Sequence, residues 1–474
     1  MAQAGAGMET HQTDSQAGQI AGWRPRLSLA RILEMNLGFL GLQFSFGLQQ
    51  GNMGPIYSYL GADESQLPVL GLAGPITGLI IQPLIGAMSD RTSSKWGRRT
   101  PYFLFGAVLC ALGLFAMPLA SSILMAASLL WILDAGNNIT MEPYRAYVSD
   151  RLNPDQRQAG FLTQSAFTGL AQCLAFLTPS LLVWFGMNQD WVDEHNIPYT
   201  ARIVFWVGAV LSFATIVWSV SRVPELPLTE AEQEHIKAQP KGLRATVAEI
   251  GSAIREMPVA MRKMGLMSLF QWFGMSGYWS YVIYTIGRSV YDTSDPASSA
   301  FRSAVLANGE MAAFYNLIAF VGAFLMVPLA KRWGAGPLHA LCLAAGGLAM
   351  LALPHVETKA MLFLPAIGTG LAWGSIMGNP YVILANTIPA QRTGVYMGIF
   401  NMMIVIPMLL FAFVMGTLNL GIVNLGLGLY QNVLGHQPGN VLTLSGVCMI
   451  LAAAAVLTVR EGRASAQTEA AIAA

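Results

Sequence analysis

Charge is scarce in this sequence. Only 11% of its 474 residues are Asp, Glu, Lys or Arg, against about 25% in an ordinary soluble domain. With 54% hydrophobic residues, such a chain cannot cover itself with a water-soluble surface, so it belongs in lipid. The 26 basic and 25 acidic residues nearly cancel, leaving no net field to attract nucleic acid or an acidic partner. Cysteine is rarer still. Cys110, Cys173, Cys342 and Cys448 each stand alone in an apolar stretch, which excludes a CxxC metal centre and a disulfide framework and leaves them as inert packing residues. No GxSxG, HExxH or phosphate-loop pattern occurs, so the sequence offers no enzyme centre, metal site or cofactor cradle. The amino terminus lacks the basic start and short apolar core of a cleaved signal, and reads as a polar cytoplasmic tail.

What the sequence does have is long apolar runs. At 1.5 Å per residue, about 20 apolar residues cross a hydrocarbon core about 30 Å thick. Twelve segments qualify, near 30–58, 66–88, 101–119, 122–148, 161–186, 202–221, 264–287, 311–330, 338–354, 360–386, 395–419 and 440–459. The expected fold is therefore all-α, a polytopic membrane protein with twelve transmembrane helices. With the amino terminus inside, 22 of the 26 Lys and Arg fall on the cytoplasmic side and only Arg202, Arg288, Arg302 and Lys359 outside, as the positive-inside rule requires. This predicts a multi-pass protein of the inner (plasma) membrane with both termini cytoplasmic. The expected division is a tail at 1–28, a first bundle at 29–221, a cytoplasmic linker at 222–262, a second bundle at 263–459 and a tail at 460–474. In the linker, Thr229 and Glu232 suit a capping box. Val247, Ile250, Ile254 and Met257 make an apolar stripe for a surface helix.

The two bundles repeat one another. Glu142-Pro143-Tyr144 recurs as Asn379-Pro380-Tyr381, and Lys95-Trp96-Gly97 as Arg332-Trp333-Gly334, both at a shift of 237 residues; Pro154-Asp155-Gln156-Arg157 recurs as Pro389-Ala390-Gln391-Arg392 at 235. Unrelated landmarks agreeing on half the chain length predict two pseudo-symmetric six-helix halves, with a ligand site near midplane between them.

Acidic residues inside the spans are few. Asp134 falls near midplane, and Glu142 lies eight residues on, about 12 Å closer to the cytoplasm. A charged residue at a helix centre costs ~2.5–3.5 kcal/mol even on the permissive insertion scale, so it calls for a compensating role. Asp134, Asn138, Glu142 and Arg145 fall at i, i+4, i+8 and i+11, one stripe of the fourth span. Glu142 and Arg145, three apart, also suit an internal ion pair. None of the six histidines falls mid-span, which leaves a carboxyl as the proton carrier. Sodium, which needs several converging oxygens, remains open through Asn137, Asn138 and nearby carbonyls.

Between the second and third spans the chain reads Gly86-Ala-Met-Ser-Asp90-Arg91-Thr-Ser-Ser-Lys95-Trp-Gly97-Arg98-Arg99-Thr-Pro101. The loop resembles the signature of the major facilitator superfamily. Its longer spacing, together with Gln43-Phe44, Gln49, Gly74-Pro75, Gln82-Pro83, Trp131-Ile-Leu-Asp134 and Asn137-Asn138, is similar to the plant sucrose transporters and their bacterial maltose and sucrose relatives, within the glycoside:cation symporters. The resemblance covers the first five spans; the second half is less diagnostic. It implies the major facilitator fold and a gate latched by Asp90, Arg91, Arg98 and Arg99. Asp150 and Arg157 at the end of the fourth span are the expected partners, in a charge network that holds the outward-open state and breaks for inward opening. It also implies that Asp134 is the proton-coupling residue; Glu142, with no counterpart in the plant pattern, is the second candidate.

The implied activity is proton-coupled symport of a sugar, such as maltose or sucrose, by alternating access. A sugar offers hydroxyls and apolar ring faces, so amides and flat aromatics should hold it. Asn36, Gln43 and Gln50 at seven-residue spacing share a face of the first span. Gln43, Gln50, Asn138, Arg145, Gln164, Gln271, Trp279 and Asn379 are the candidate sugar contacts, Gln43, Gln50 and Asn138 foremost because they sit beside Asp134. Polar residues in spans also serve as helix-to-helix glue. Rival readings are a carrier of a sodium-coupled glycoside, nucleoside or drug, and a non-transporting sugar sensor. The partners expected are a small sugar, a proton or sodium ion, and membrane lipid.

Overall fold

The structure, a computed structural model, describes residues 24–92, 94–226, 251–385, 387, 393–419 and 424–459. Among them run twelve long helices: α1 Leu29–Tyr59, α2 Ala73–Arg91, α3 Thr100–Ala116, α4 Ile123–Arg151, α5 Pro154–Trp184, α6 Tyr199–Arg222, α7 Val259–Val290, α8 Ser299–Trp333, α9 Ala335–Ala352, α10 Phe363–Ile376, α11 Thr393–Met415 and α12 Pro438–Leu457. Their starts follow local chemistry. The Ser28, Ser122 and Ser298 side chains accept from the backbone of Arg31, Met125 and Phe301, and Pro opens α5 and α12, where a missing N–H costs nothing. Ten of these regions are long and apolar enough to cross a membrane. The other two, α1 and α7, have 31 and 32 residues, ample length to span, but carry more polar side chains. The chain is a multi-pass membrane protein. The only strands among the described residues are Leu418–Asn419 and Asn424–Leu425, a two-residue ladder.

The two halves pack alike. In the first, α1 lies against α5 and α6, α3 against α4 and α6, and α2 against α4; in the second, α7 lies against α11 and α12, α9 against α10 and α12, and α8 against α10. Each pairing recurs six helices later. The repeated Trp-Gly turn has a physical basis, since Gly97 and Gly334 adopt φ of +104° and +87°, a left-handed region in which a Cβ would be strained. One departure separates the halves. α4 continues through Pro143 to Arg151, whereas α10 stops at Ile376 and helix resumes only over Asn379–Ala385.

Both described chain ends lie on one face, here the near face. Arg24 reaches the carbonyl of Ser149 at the end of α4, and Lys263 that of Thr458 after α12. Between halves, α5 packs along α8 and α2 touches α11. The α5–α8 approach depends on Gly309, where a Cβ would come within 2.6 Å of the Phe176 carbonyl oxygen. Residues 1–23 and 460–474, Thr229, Glu232, Val247, Ile250 and the repeat residues Pro389 to Arg392 lie outside the described residues.

Candidate functional site

Asp134 is fully buried, the one buried carboxylate among the described residues. The sequence holds it there through neighbours on three helices. From α1, Gln49 Nε2 donates to Asp134 Oδ1 at 2.5 Å, and Asn137 Nδ2 on α4 donates to Gln49 Oε1 at 3.3 Å. The Asn137 side-chain oxygen accepts from Ser45 Oγ and Cys110 Sγ, each at 3.1 Å. One turn along α4, Asn138 Nδ2 donates to Thr77 Oγ1 of α2 at 3.0 Å, and its oxygen accepts from Gln82 Nε2 at 2.6 Å. Asp134 Oδ2 is buried without any hydrogen-bond partner. The carboxylate is thus gripped by one oxygen and left bare at the other, facing Gly74, whose absent Cβ would lie 3.7 Å away.

The second half carries a different centre. His339 of α9 is fully buried. Its Nε2 lies 3.0 Å from Gln271 Oε1 of α7 and its Nδ1 2.8 Å from Ser375 Oγ of α10, which accepts from Asn379 Nδ2 at 2.7 Å. His339 lies near the start of α9, off mid-span, yet α7 and α10 pack over it and bury it. Further along α7, the rings of Trp272, Trp279 and Trp373 gather at centroid distances of 5.3–6.4 Å, with Trp373 nearly perpendicular to both others.

At the far face the halves are clamped. Arg288 Nη1 donates to both carboxylate oxygens of Glu64 at 2.9 and 3.1 Å, and the Tyr430 hydroxyl also donates to Glu64. Tyr281 donates to the Glu64 carbonyl. Thr417 and Gln431 bond Ser65, and Ser58 pairs with Tyr284. Arg302 holds Asp190 at 2.8 Å. The Asp190 carboxyl is held below the usual carboxylate range by a hydrogen bond from Ser299 and by Arg302. Among the described residues, the hydrogen bonds and ion pairs that join the two halves all lie at this face.

Comparison with known proteins follows from this geometry. The sequence profile of the Major Facilitator Superfamily matches residues 35–411. The chain belongs to that superfamily. It is 26% identical over 434 residues to sucrose transport protein SUC4 of Arabidopsis thaliana, covering 81% of this chain and 83% of that protein. To sucrose transport protein SUT2 of Oryza sativa subsp. indica it is 25% identical over 436 residues, covering 81% and 85%. Two superfamily members share the fold: the nucleoside transporter NupG (TM-score 0.64, 13% identity, 91% of this chain and 99% of that one) and a bacterial homolog of the human lysosomal transporter Spinster, solved inward-facing and occupied (TM-score 0.61, 14% identity, 90% and 96%). These relatives are membrane transporters, and none is an enzyme.

Within this superfamily fold the expected residues divide sharply. Gln49, and not Gln50, reaches Asp134: Gln50 is exposed, because a step of one residue turns the side chain by about 100° around the helix. Gln43 is buried six residues before Gln49 on α1 and accepts from Gln172 Nε2 at 3.3 Å. Asn36 bonds its own helix at the Ile32 carbonyl. Gln164 donates to the Tyr144 carbonyl, a helix-to-helix contact. Arg145 and Glu142 approach to 3.8 Å with side chains 52% and 37% exposed, so Glu142 is not a buried charge. Cys110, expected to be inert, hydrogen-bonds Asn137.

The loop signature also assembles, with two corrections. Arg99 bridges Asp90 at 2.5 Å and Asp150 at 2.9 Å, and Arg98 holds Asp150 at 2.5 Å. These contacts all lie within the first half, and they are intact while the far face is closed. The network braces α2, α3 and α4 against one another. Arg157 stands apart, its Nε buried without a partner, and the Arg91 side chain lies outside the described residues. A member not anticipated is Glu225, which accepts from the backbone N–H of Arg98, Arg99 and Thr100. It caps the start of α3, and Gly97 leaves the room it needs: a Cβ there would fall 2.6 Å from the carboxylate. The sequence signal was the acid after α6 in Val223-Pro224-Glu225.

Proposed function

We propose that the protein is a proton-coupled sugar symporter that works by alternating access. The observation that carries the reading is the bare Oδ2 of a fully buried Asp134. A carboxylate with one oxygen unsatisfied in a dry site is costly, and binding a proton at that oxygen removes the charge. The relatives named as sucrose transport proteins support a sugar as the co-transported solute. So does the chemistry. Amides of α1, α2 and α4 offer the donors and acceptors that hydroxyls need, and the tryptophans of α7 and α10 offer flat faces for a sugar ring.

The near face, which carries most of the Lys and Arg, is read as cytoplasmic, so the far-face clamp describes an inward-facing state. In the working cycle, proton and sugar enter from outside, Asp134 is neutralised, and the Glu64, Ser65 and Asp190 contacts close behind them. Release to the cytoplasm leaves Asp134 free to lose its proton.

Uptake of radiolabelled sucrose and maltose into proteoliposomes tests this. A pH gradient, acid outside, should drive accumulation above the equilibrium level, and a proton uncoupler should abolish it. Accumulation that follows a sodium gradient alone, or a sugar bound but never moved, overturns the reading.

A further inference from the structure

The histidine centre of the second half has a direction built into it. Gln271 Oε1 can only accept, so the nearby His339 Nε2 carries the proton. No acid touches the fully buried ring, and an unpaired buried cation is excluded on cost; the ring is therefore neutral and its Nδ1 accepts from the Ser375 hydroxyl. That hydroxyl in turn accepts from Asn379 Nδ2. One chain of hydrogen bonds runs from Asn379 through Ser375 and His339 to Gln271, joining α10, α9 and α7.

The chain uses only one end of each amide. The Gln271 side-chain NH2 and the Asn379 side-chain carbonyl have no hydrogen-bond partner among the described residues. His339 thus fixes which way both amides point. It leaves one donor and one acceptor unspent, a pairing that suits hydroxyls, which both donate and accept.

We propose that His339 is a positioning residue for sugar recognition: it orients Gln271 and Asn379 so that the second half presents an amide donor on α7 and an amide acceptor at the start of the Asn379–Ala385 helix to sugar hydroxyls. The inference rests on the sugar reading above and adds a part of the site that reading does not use. It also accounts for a neutral histidine in a membrane helix without giving it a proton to carry. His339 touches no substrate in this role, and its influence passes through the two amides.

The test compares two substitutions at His339 in sucrose and maltose uptake. His339→Phe keeps the volume and removes both ring nitrogens; it should raise KM about tenfold, the effect of losing one or two oriented hydrogen bonds, with the maximal rate and the pH dependence of uptake unchanged. His339→Gln restores a donor and an acceptor and should recover most of the affinity. In a Gln271→Ala, Asn379→Ala background, where both oriented amides are already gone, His339→Phe should add little. A merely structural histidine would lower thermal stability and the number of active carriers while leaving KM alone. That outcome, or full additivity with the double variant, overturns the proposal. A wild-type protein that takes up neither sugar overturns the sugar reading instead, and this inference with it.

Discussion

The first and second halves share a contact plan and diverge in chemistry. In the first, a buried acid is held by amides from α1 and α4, and its stripe can change charge. In the second, the corresponding helices carry a neutral histidine chain and a group of three tryptophans, which cannot. The shift of 237 residues puts Leu371 where the first half has Asp134 and Ser375 where it has Asn138. Duplication of a bundle fixes which helices touch. It leaves each side chain free to specialise, in the proposed reading toward the proton in one half and the sugar in the other.

The strongest way to break this division is Asp134→Asn. The amide imitates the protonated carboxyl in shape but can neither take nor release a proton. Accumulation driven by a pH gradient should fall to a ratio of about one, while exchange of labelled for unlabelled sugar survives. A variant that still concentrates sugar moves the proton site elsewhere, with Glu142 next in line.

Trp373→Leu probes the other side. Sugar affinity should weaken about tenfold, as expected on losing a stacking ring, while the dependence of uptake on pH stays as in the wild type. A changed proton dependence would show that the halves do not divide the work.

A smaller effect is expected at the clamp between them. Glu64→Gln removes the charge that holds Arg288 and Tyr430, a loss of ~1 kcal/mol or about fivefold in the balance of states. Distances between labels on the two halves at the far face should lengthen. The second clamp resists acid: because the Asp190 carboxyl is held below its ordinary range, its contribution persists above that range and is lost only as pH falls through the lowered value.

The smallest effect belongs to Asp90→Asn. Its ion pair with Arg99 is half-exposed and internal to one half, so inter-half label distances should stay as they are and only the melting temperature should drop slightly. A marked shift toward either state would restore the latch to a gating role.

Much of this was legible in the sequence, and the failures share a cause. Helix count follows from length and hydropathy, which are local. Asp134 was legible because one acid inside an apolar run needs a reason, and the Arg99 network because opposite charges fell on one face. Gln49 was passed over for Gln50 because a seven-residue stripe names a face and not the rotation of that face toward a partner. His339 was missed for a related reason: a position near a helix end looks exposed until neighbouring helices are laid across it. Glu225 depends on backbone N–H groups that no residue pattern displays.

In the alternating-access cycle proposed above, the missing Cβ of Gly309, set against the Phe176 carbonyl, would make that contact a fulcrum. Along α5, Phe176 lies 22 residues from Pro154 and 8 from Trp184, arms of roughly 33 and 12 Å at 1.5 Å per residue. A tilt of about 10° around this point would carry the near end through roughly 6 Å and the far end through roughly 2 Å. The leverage is close to threefold, so a slight loosening of the grip at Arg302 would be geared into a much wider swing of the opposite mouth.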